Sequence, residues 1–302
     1  MTVKDGSAAT RLRALMGGRG MITAPGAYDC IGARLIEQAG FAAVYMTGAG
    51  SAATLGYPDF GLLTMTEMVE NAGRLASAVG IPVVADADTG YGNELNVVRT
   101  VREYERQGVA GIHIEDQGFP KRCGHLDDKE IIGLEDYLAK VRAAAAAKAS
   151  KDFVVIARTD SRASLGFEEA VRRANASLDA GADMAFVEAP ETADEVAAIP
   201  RLVHGPCLLN VVWGGKTPVV DLAEAERLGF KLAILPGLLF KGAINAFDAL
   251  LAEVRETRRH PAMGAGVREV FRRVGADEWE PLRTRFRAPQ PDERPRRKPA
   301  AE

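Results

Sequence analysis

Five consecutive residues, Lys121-Arg122-Cys123-Gly124-His125, put a single thiol between two cations and an imidazole. Such neighbours favour the thiolate, so a cysteine placed there can exchange protons near neutral pH. Two acidic runs lie upstream, Val83-Val84-Ala85-Asp86-Ala87-Asp88-Thr89-Gly90 and Gly111-Ile112-His113-Ile114-Glu115-Asp116. An all-oxygen carboxylate set of this kind suits Mg²⁺, with Mn²⁺ as an alternative. Strand alternation sends Asp86 and Asp88 to the same side, although the plain alternative is that they cap the next helix. A lone cysteine is more often a small buried hydrophobe, but the polar flanks of Cys123 argue for a catalytic thiol. His125 either joins that chemistry or shapes the loop.

The elements that must position these groups recur regularly. Short β-rich runs occupy 21–24, 42–46, 82–85, 111–114, 153–157, 184–187, 207–211 and 232–235, with helix-like segments such as 65–79 and 167–180 between them. Continuously apolar strands imply burial on both faces, as in a parallel sheet. Eight such units predict an α/β fold, a closed (β/α)₈ TIM-type barrel. A doubly wound open sheet is the alternative, but no Gly-rich dinucleotide fingerprint follows the first strand. In a barrel, chemistry sits at the carboxyl ends of the strands. Those ends carry Thr47-Gly48-Ala49-Gly50, Asp86 and Asp88, Glu115 and Asp116, Arg158 with Asp160, Glu188, and Asn210. Arg158 is read as a bidentate clamp on a substrate carboxylate rather than only a structural ion pair. His113 reads as a core histidine hydrogen-bonded within the barrel, and Cys30 and Cys207 as core thiols.

Composition narrows the setting. The chain has 302 residues, 47% of them hydrophobic, enough for one large core. A formal charge of −3 argues against nucleic acid, and no apolar stretch approaches a membrane span. The N-terminal residues lack an apolar signal region, and three cysteines without metal-ligand spacing suit reduced thiols, so a cytoplasmic location is expected. The barrel is expected over 1–256. A C-terminal helical extension over 257–287 is expected to pack on the barrel or a neighbouring subunit. The Pro/Arg/Lys-rich tail 288–302 is expected to be disordered. Gly17-Gly18-Arg19-Gly20 is not followed by Lys-Ser/Thr and reads as a flexible entry to the first strand, not a phosphate cradle.

Several motifs, taken in order, resemble one family. They are Tyr45-Met46-Thr47-Gly48, Gly56-Tyr57-Pro58-Asp59, Asp86-Ala87-Asp88-Thr89-Gly90-Tyr91-Gly92, Ile114-Glu115-Asp116-Gln117, the Cys123 run, Ala157-Arg158-Thr159-Asp160, Val187-Glu188-Ala189 and Gly214-Gly215-Lys216-Thr217-Pro218. From about Leu12 to Phe286 the chain is similar to the isocitrate lyase/phosphoenolpyruvate mutase superfamily. The resemblance implies a (β/α)₈ barrel, a homotetramer that swaps its last barrel helix between subunits, and an essential Mg²⁺. It implies that Asp86 touches the metal directly, while Asp59, Asp88 and Glu115 hold it mostly through water. Thr47, Gly48, Ala49 and Arg158 would meet the α-keto acid end of the substrate, with Gly124, Asn210 and Trp213 as further substrate contacts. Lys121 and Glu188 join Cys123 and His125 among the catalytic groups, Glu188 relaying protons or orienting the loop. Tyr45 is either the base or a hydrogen-bonding and packing residue.

The cysteine loop selects a branch. Family members that cleave carbon–carbon bonds resemble this chain there, whereas phosphonate enzymes and oxaloacetate decarboxylases of the family lack that cysteine. The expectation is a Mg²⁺-dependent oxo-acid lyase splitting a substituted malate or 2-alkyl citrate-type acid into pyruvate, or a close α-keto acid, and a second carboxylic acid. A 2,3-dimethylmalate lyase-like activity leads. The alternatives are 2-methylisocitrate lyase proper, oxaloacetate decarboxylase, phosphonate C–P chemistry, or a non-catalytic binding protein. Trp213 replaces the Glu-containing stretch of methylisocitrate-cleaving and dimethylmalate-type relatives and is expected to shrink the pocket or favour an apolar C3 substituent. Asp29-Cys30 departs from the Asn-His pair of methylisocitrate lyases. Pro236 stands where oxaloacetate hydrolases of the family have serine.

Overall fold

In the computed structural model, residues 6–126 and 129–287 are described. In chain order the elements are α1 (Ala8–Gly17), β1 (Ile22–Ala27), α2 (Cys30–Gln38), β2 (Val44–Met46), α3 (Gly48–Thr54), α4 (Met65–Ala78), β3 (Val83–Asp86), α5 (Glu94–Arg106), β4 (Gly111–Glu115) and α6 (Leu134–Ala147). They continue as β5 (Val154–Thr159), α7 (Arg162–Leu165), α8 (Phe167–Asp179), β6 (Met184–Val187), α9 (Ala193–Leu202), β7 (Cys207–Asn210), α10 (Leu222–Leu228), β8 (Leu232–Leu235), α11 (Leu238–Thr257), α12 (Val267–Arg273) and α13 (Ala276–Phe286). All eight strands run parallel, and β8 pairs with β1 to close the barrel. The fold is the (β/α)₈ barrel that the run spacing predicts.

Local chemistry explains the helix starts. Thr64 and Asn93 form capping boxes with Glu67 and Asn96, and Asp29, Thr192 and Asp221 cap α2, α9 and α10 with their side chains. Each cap satisfies backbone N–H groups that the first helical turn leaves unpaired. Alternation along the strands then separates two apolar layers. Ile22, Ala24, Tyr45, Val84, Val154, Ile156, Met184, Phe186, Leu208, Leu232 and Ile234 fill one core cluster, which Leu12 of α1 joins. Val44, Met46, Val83, Ala85, Ile112, Ile114 and Val155 pack with residues of α2, α4, α5 and α6 in another. No helix among the described residues is long and apolar enough to cross a membrane.

The chain divides into two units, Met1–Arg259 and His260–Glu302. The first holds the barrel and α11; the second holds α12 and α13, whose residues are largely exposed. The 288–302 tail lies outside the described residues. Cys207 is buried as expected, but Cys30 is only half-buried at the start of α2, so the core assignment fails there. Its position beside the helix N-cap leaves it at the surface end of the strand–helix connection.

One close approach shapes the mouth of the barrel. A Cβ on Gly26 would lie 2.5 Å from the Pro236 carbonyl oxygen and 2.7 Å from Pro236 Cα, both backbone atoms. Only glycine lets β1 pass the segment leaving β8 at this distance. Gly26→Ala should lower stability by about 1–3 kcal/mol, the usual cost of overpacking. A reduced denaturant midpoint at unchanged slope would show it, and a wild-type midpoint would refute it.

Candidate active site

The barrel register assembles the site. Asp86, at the end of β3, lies beside His113 of β4, and Glu115 lies beside Arg158 of β5. Tyr45 comes from β2, and Thr47 N-caps α3. Glu188 follows β6, Asn210 ends β7 and Pro236 follows β8. A cavity of about 240 Å³ opens among them, lined by Tyr45, Thr47, Ala49, Asp59, Asp86, Lys121, Cys123, Gly124, His125, Arg158, Glu188 and Asn210. Val212, Gly214, Gly215, Pro236, Gly237, Phe240 and Lys241 complete its wall. Gly48 stands behind it, where a Cβ would meet Asp86 Oδ2 at 2.5 Å.

Asp86, His113 and Glu115 bring ligand atoms within 4.8 Å of one another, all buried. Both Glu115 carboxylate oxygens are buried without a hydrogen-bond partner. Burial pushes the Glu115 carboxyl well up; Arg158, its ion-pair partner at 3.2 Å, opposes this, while Asp160 and Asp86 add to it. Burial also works against charge on Asp86, but His113, Lys121 and Arg158 hold that carboxyl down at about 2. Two buried carboxylates, one with orphaned oxygens, fit a hard divalent cation such as Mg²⁺ or Mn²⁺. Among the described residues, six acids are buried (Asp86, Asp88, Glu115, Asp116, Asp160, Glu188) against four Lys or Arg (Lys121, Lys129, Arg158, Arg173).

His113 is the residue that sequence reasoning underused. It is fully buried, as a core histidine should be, yet it faces the cation group. Its Nε2 pairs with the Tyr45 hydroxyl at 2.8 Å and lies 3.6 Å from Asp86. Burial pushes His113 down to about 4 despite Asp86, so the imidazole is neutral at pH 7. Burial and Asp86 push the Tyr45 phenol well up, which favours hydrogen bonding over the role of base.

The structure does not bring Asp59 and Asp88 into the three-residue cation group. Lys121 Nζ sits between them, 2.5 Å from Asp59 and 3.0 Å from Asp88. The alternation argument fails at Asp88 because β3 ends at Asp86 and Asp88 adopts φ 45°, in the left-handed region. Asp88 is nonetheless buried, and burial raises its carboxyl to about 6 although Lys121 opposes it, with Asp86 and Asp59 adding to the rise. Lys121 is thereby committed to these two carboxylates.

The thiol also departs from expectation. Burial raises the Cys123 pKa and Asp59 adds to it; the His125 backbone N–H only partly opposes them. The expected thiolate fails because Lys121 is engaged by Asp59 and Asp88, Arg122 points to solvent, and His125 is itself pushed down by burial. His125 Nδ1 accepts from the Lys216 N–H at 3.0 Å, while Nε2 faces Glu188 at 3.6 Å. Cys123 is therefore a neutral thiol, able to donate a proton.

Arg158 is an ion-pair hub on the cavity wall. Asp160 accepts from Nε at 2.8 Å and from Nη2 at 3.0 Å, and Glu188 lies 3.3 Å from Nη2. Asn210 donates to both Glu188 oxygens. Trp213 is corrected outright: it is 77% exposed and its neighbours Val212, Gly214 and Gly215, not its indole, line the cavity. Phe240 and Lys241 were missed because the amphipathic helix α11 that carries them bears no chemical motif.

A raised carboxyl pKa costs stability as pH climbs above its unfolded value, since the folded chain must release a proton it holds. Glu115 and Asp88 are raised, so this loss falls above about pH 4 and extends through about pH 6. A cation held by Glu115 would offset the part of this loss that falls on Glu115. The Mg²⁺-induced rise in Tm should grow from about pH 5 to about pH 8, with a stabilisation of about 2.7 kcal/mol at a hundredfold excess over Kd. Thermal melts of wild type and Glu115→Gln would check this; a pH-independent shift, or one retained by the variant, would place the ion elsewhere.

A family model for phosphoenolpyruvate phosphomutase matches residues 12–255. The 2,3-dimethylmalate lyase of Eubacterium barkeri is 49% identical over 76% of this chain and 79% of its own. A 2-methylisocitrate lyase of Aeropyrum pernix is 42% identical over 81% and 79%. Among solved structures, 2,3-dimethylmalate lyase superposes with a TM-score of 0.89 at 39% identity, covering 93% of this chain and 96% of that one. Oxaloacetate acetylhydrolase with 3,3-difluorooxalacetate gives 0.89 at 37%, over 92% and 96%. Phosphonopyruvate hydrolase with oxalate and Mg²⁺ gives 0.85 at 32%, over 93% and 99%. With a match across most of its length and a cysteine-bearing site at the strand ends, the chain belongs to the phosphoenolpyruvate mutase/isocitrate lyase superfamily.

Proposed function

We propose that this protein is a Mg²⁺-dependent carbon–carbon lyase acting on a substituted malate of the 2,3-dimethylmalate type. The carrying observation is the Cys123 thiol on the wall of the same cavity as Asp86 and Arg158. Asp86 and Glu115 would hold the cation, which when bound binds the 2-hydroxy acid and lowers the pKa of its hydroxyl. Arg158 binds the C1 carboxylate at the cavity wall, beside Thr47 and Ala49. Glu188, on the cavity wall, takes the hydroxyl proton as C2–C3 breaks, leaving pyruvate and a carbanion stabilised by its own carboxylate. The Cys123 thiol gives its proton to that carbon, completing the second acid. Glu188, held by Arg158 and Asn210, keeps these groups in register.

Val212, Pro236 and Phe240 are among the residues lining the cavity, which supports a small apolar substituent on C3, and Pro236 offers no hydroxyl. This favours a dialkylmalate over oxaloacetate. The three cysteines are free, which suits a cytoplasmic enzyme. Helix α11 has no buried residue and exposes Leu238, Ile244, Phe247, Leu251 and Val254, which supports a homotetramer with exchanged helices. Light scattering should give four times the chain mass; a monomer would refute the exchange.

Equimolar pyruvate and a second acid should appear from 2,3-dimethylmalate with Mg²⁺, with less from 2-methylisocitrate. Carbon dioxide from oxaloacetate, without cleavage of either, would refute the lyase. Cys123→Ser should lower cleavage by about 10²–10⁴-fold, the usual weight of a general acid. Full activity in that variant would remove Cys123 from the mechanism.

A further inference from the structure

Two buried residues outside the cavity wall grip the chain on either side of Cys123. On the N-terminal side, the Gln117 amide makes both bonds to the Arg122 backbone: Oε1 accepts from N–H at 2.9 Å and Nε2 donates to the carbonyl at 2.8 Å. On the C-terminal side, Lys129 Nζ donates to the Gly124 carbonyl and to Asp160 Oδ1, the latter at 3.1 Å. Gln117 is 1% exposed and Lys129 9% exposed, whereas Arg122 is exposed. A buried amide and a buried ammonium thus give hydrogen bonds to the backbone of a surface loop. Asp160 ties the second grip to Arg158, since the same carboxylate binds the guanidinium through Nε and Nη2.

We propose that Gln117 and Lys129 are positioning residues that hold the Cys123 thiol over the cavity, Lys129 setting it relative to the Arg158 guanidinium through Asp160. Neither side chain lines the cavity, so neither reaches the reacting atoms. The proposal rests on the reading of Cys123 as the proton donor. Loss of either grip lets the loop open locally while the barrel stays folded. The proton is then misplaced with little change in substrate binding.

Iodoacetamide alkylation, read separately at each cysteine by peptide mass spectrometry, tests this without reference to activity. Cys207, 1% exposed in β7, reports global unfolding, and Cys30 reports the surface of α2. Gln117→Leu and Lys129→Met should speed Cys123 alkylation by about tenfold or more with Cys207 and Cys30 unchanged. In the same variants kcat should fall about 10–100-fold while KM moves less than about threefold. Lys129→Arg, which keeps a cationic donor, should recover part of both losses, and Gln117→Glu, which keeps only the acceptor, should fall between wild type and Gln117→Leu. A wild-type Cys123 rate in both truncations, or a rise shared with Cys207, would overturn the proposal. If wild type cleaves none of the acids offered, the lyase reading fails while the alkylation rates still decide whether the two residues hold the thiol.

Discussion

The mouth of this barrel buries more negative than positive charge, and the rest of the site follows from how that excess is handled. Taking a carboxylate out of water is costly unless a cation or hydrogen-bond donors meet it. Arg158 meets Asp160, Glu115 and Glu188, Lys121 meets Asp59 and Asp88, and Arg173 meets Asp116. Glu115 keeps two oxygens without donors next to Asp86. Burial holds the Glu115, Asp88 and Asp116 carboxyls above the usual carboxylate range. Of these acids only Glu115 stands in the group with Asp86 and His113 that could hold a cation.

The same electrostatics fixes the state of the thiol. Nearby cations lower a thiol's pKa only if their charge is not already spent. Here Lys121 is spent on two aspartates and His125 is neutral, so Cys123 stays protonated beneath its burial penalty. A lyase that must end by protonating a carbanion needs that form, not the thiolate. Of the flanking cations, Lys121 therefore serves the acidic cluster more than the sulfur.

Much of this was legible from residue order. Eight apolar runs separated by helical segments suffice for the barrel, because a buried parallel strand needs no polar alternation. Asp86, Glu115, Arg158, Glu188 and Asn210 stood out as polar residues closing apolar runs. His113 hid in the interior of such a run, and an inward-facing core histidine has the same local signature as one beside a cation. Trp213 misled for the opposite reason: a large aromatic next to a motif reads as pocket wall, yet side-chain direction depends on the turn that carries it.

The sequence by itself therefore determined the barrel, the order of its strands and the polar residues at their carboxyl ends, since hydrophobic burial and strand period act over a few neighbouring residues. Only the tertiary structure decided which charges pair. Lys121 reaches Asp59 across 62 positions, Arg173 reaches Asp116 across 57, and Lys129 finds Asp160 across 31. Coulomb energy depends on distance and burial rather than on separation along the chain. The pairing that commits Lys121 to Asp59 and Asp88, and leaves both Glu115 oxygens without a hydrogen bond, exists only once the strands have closed.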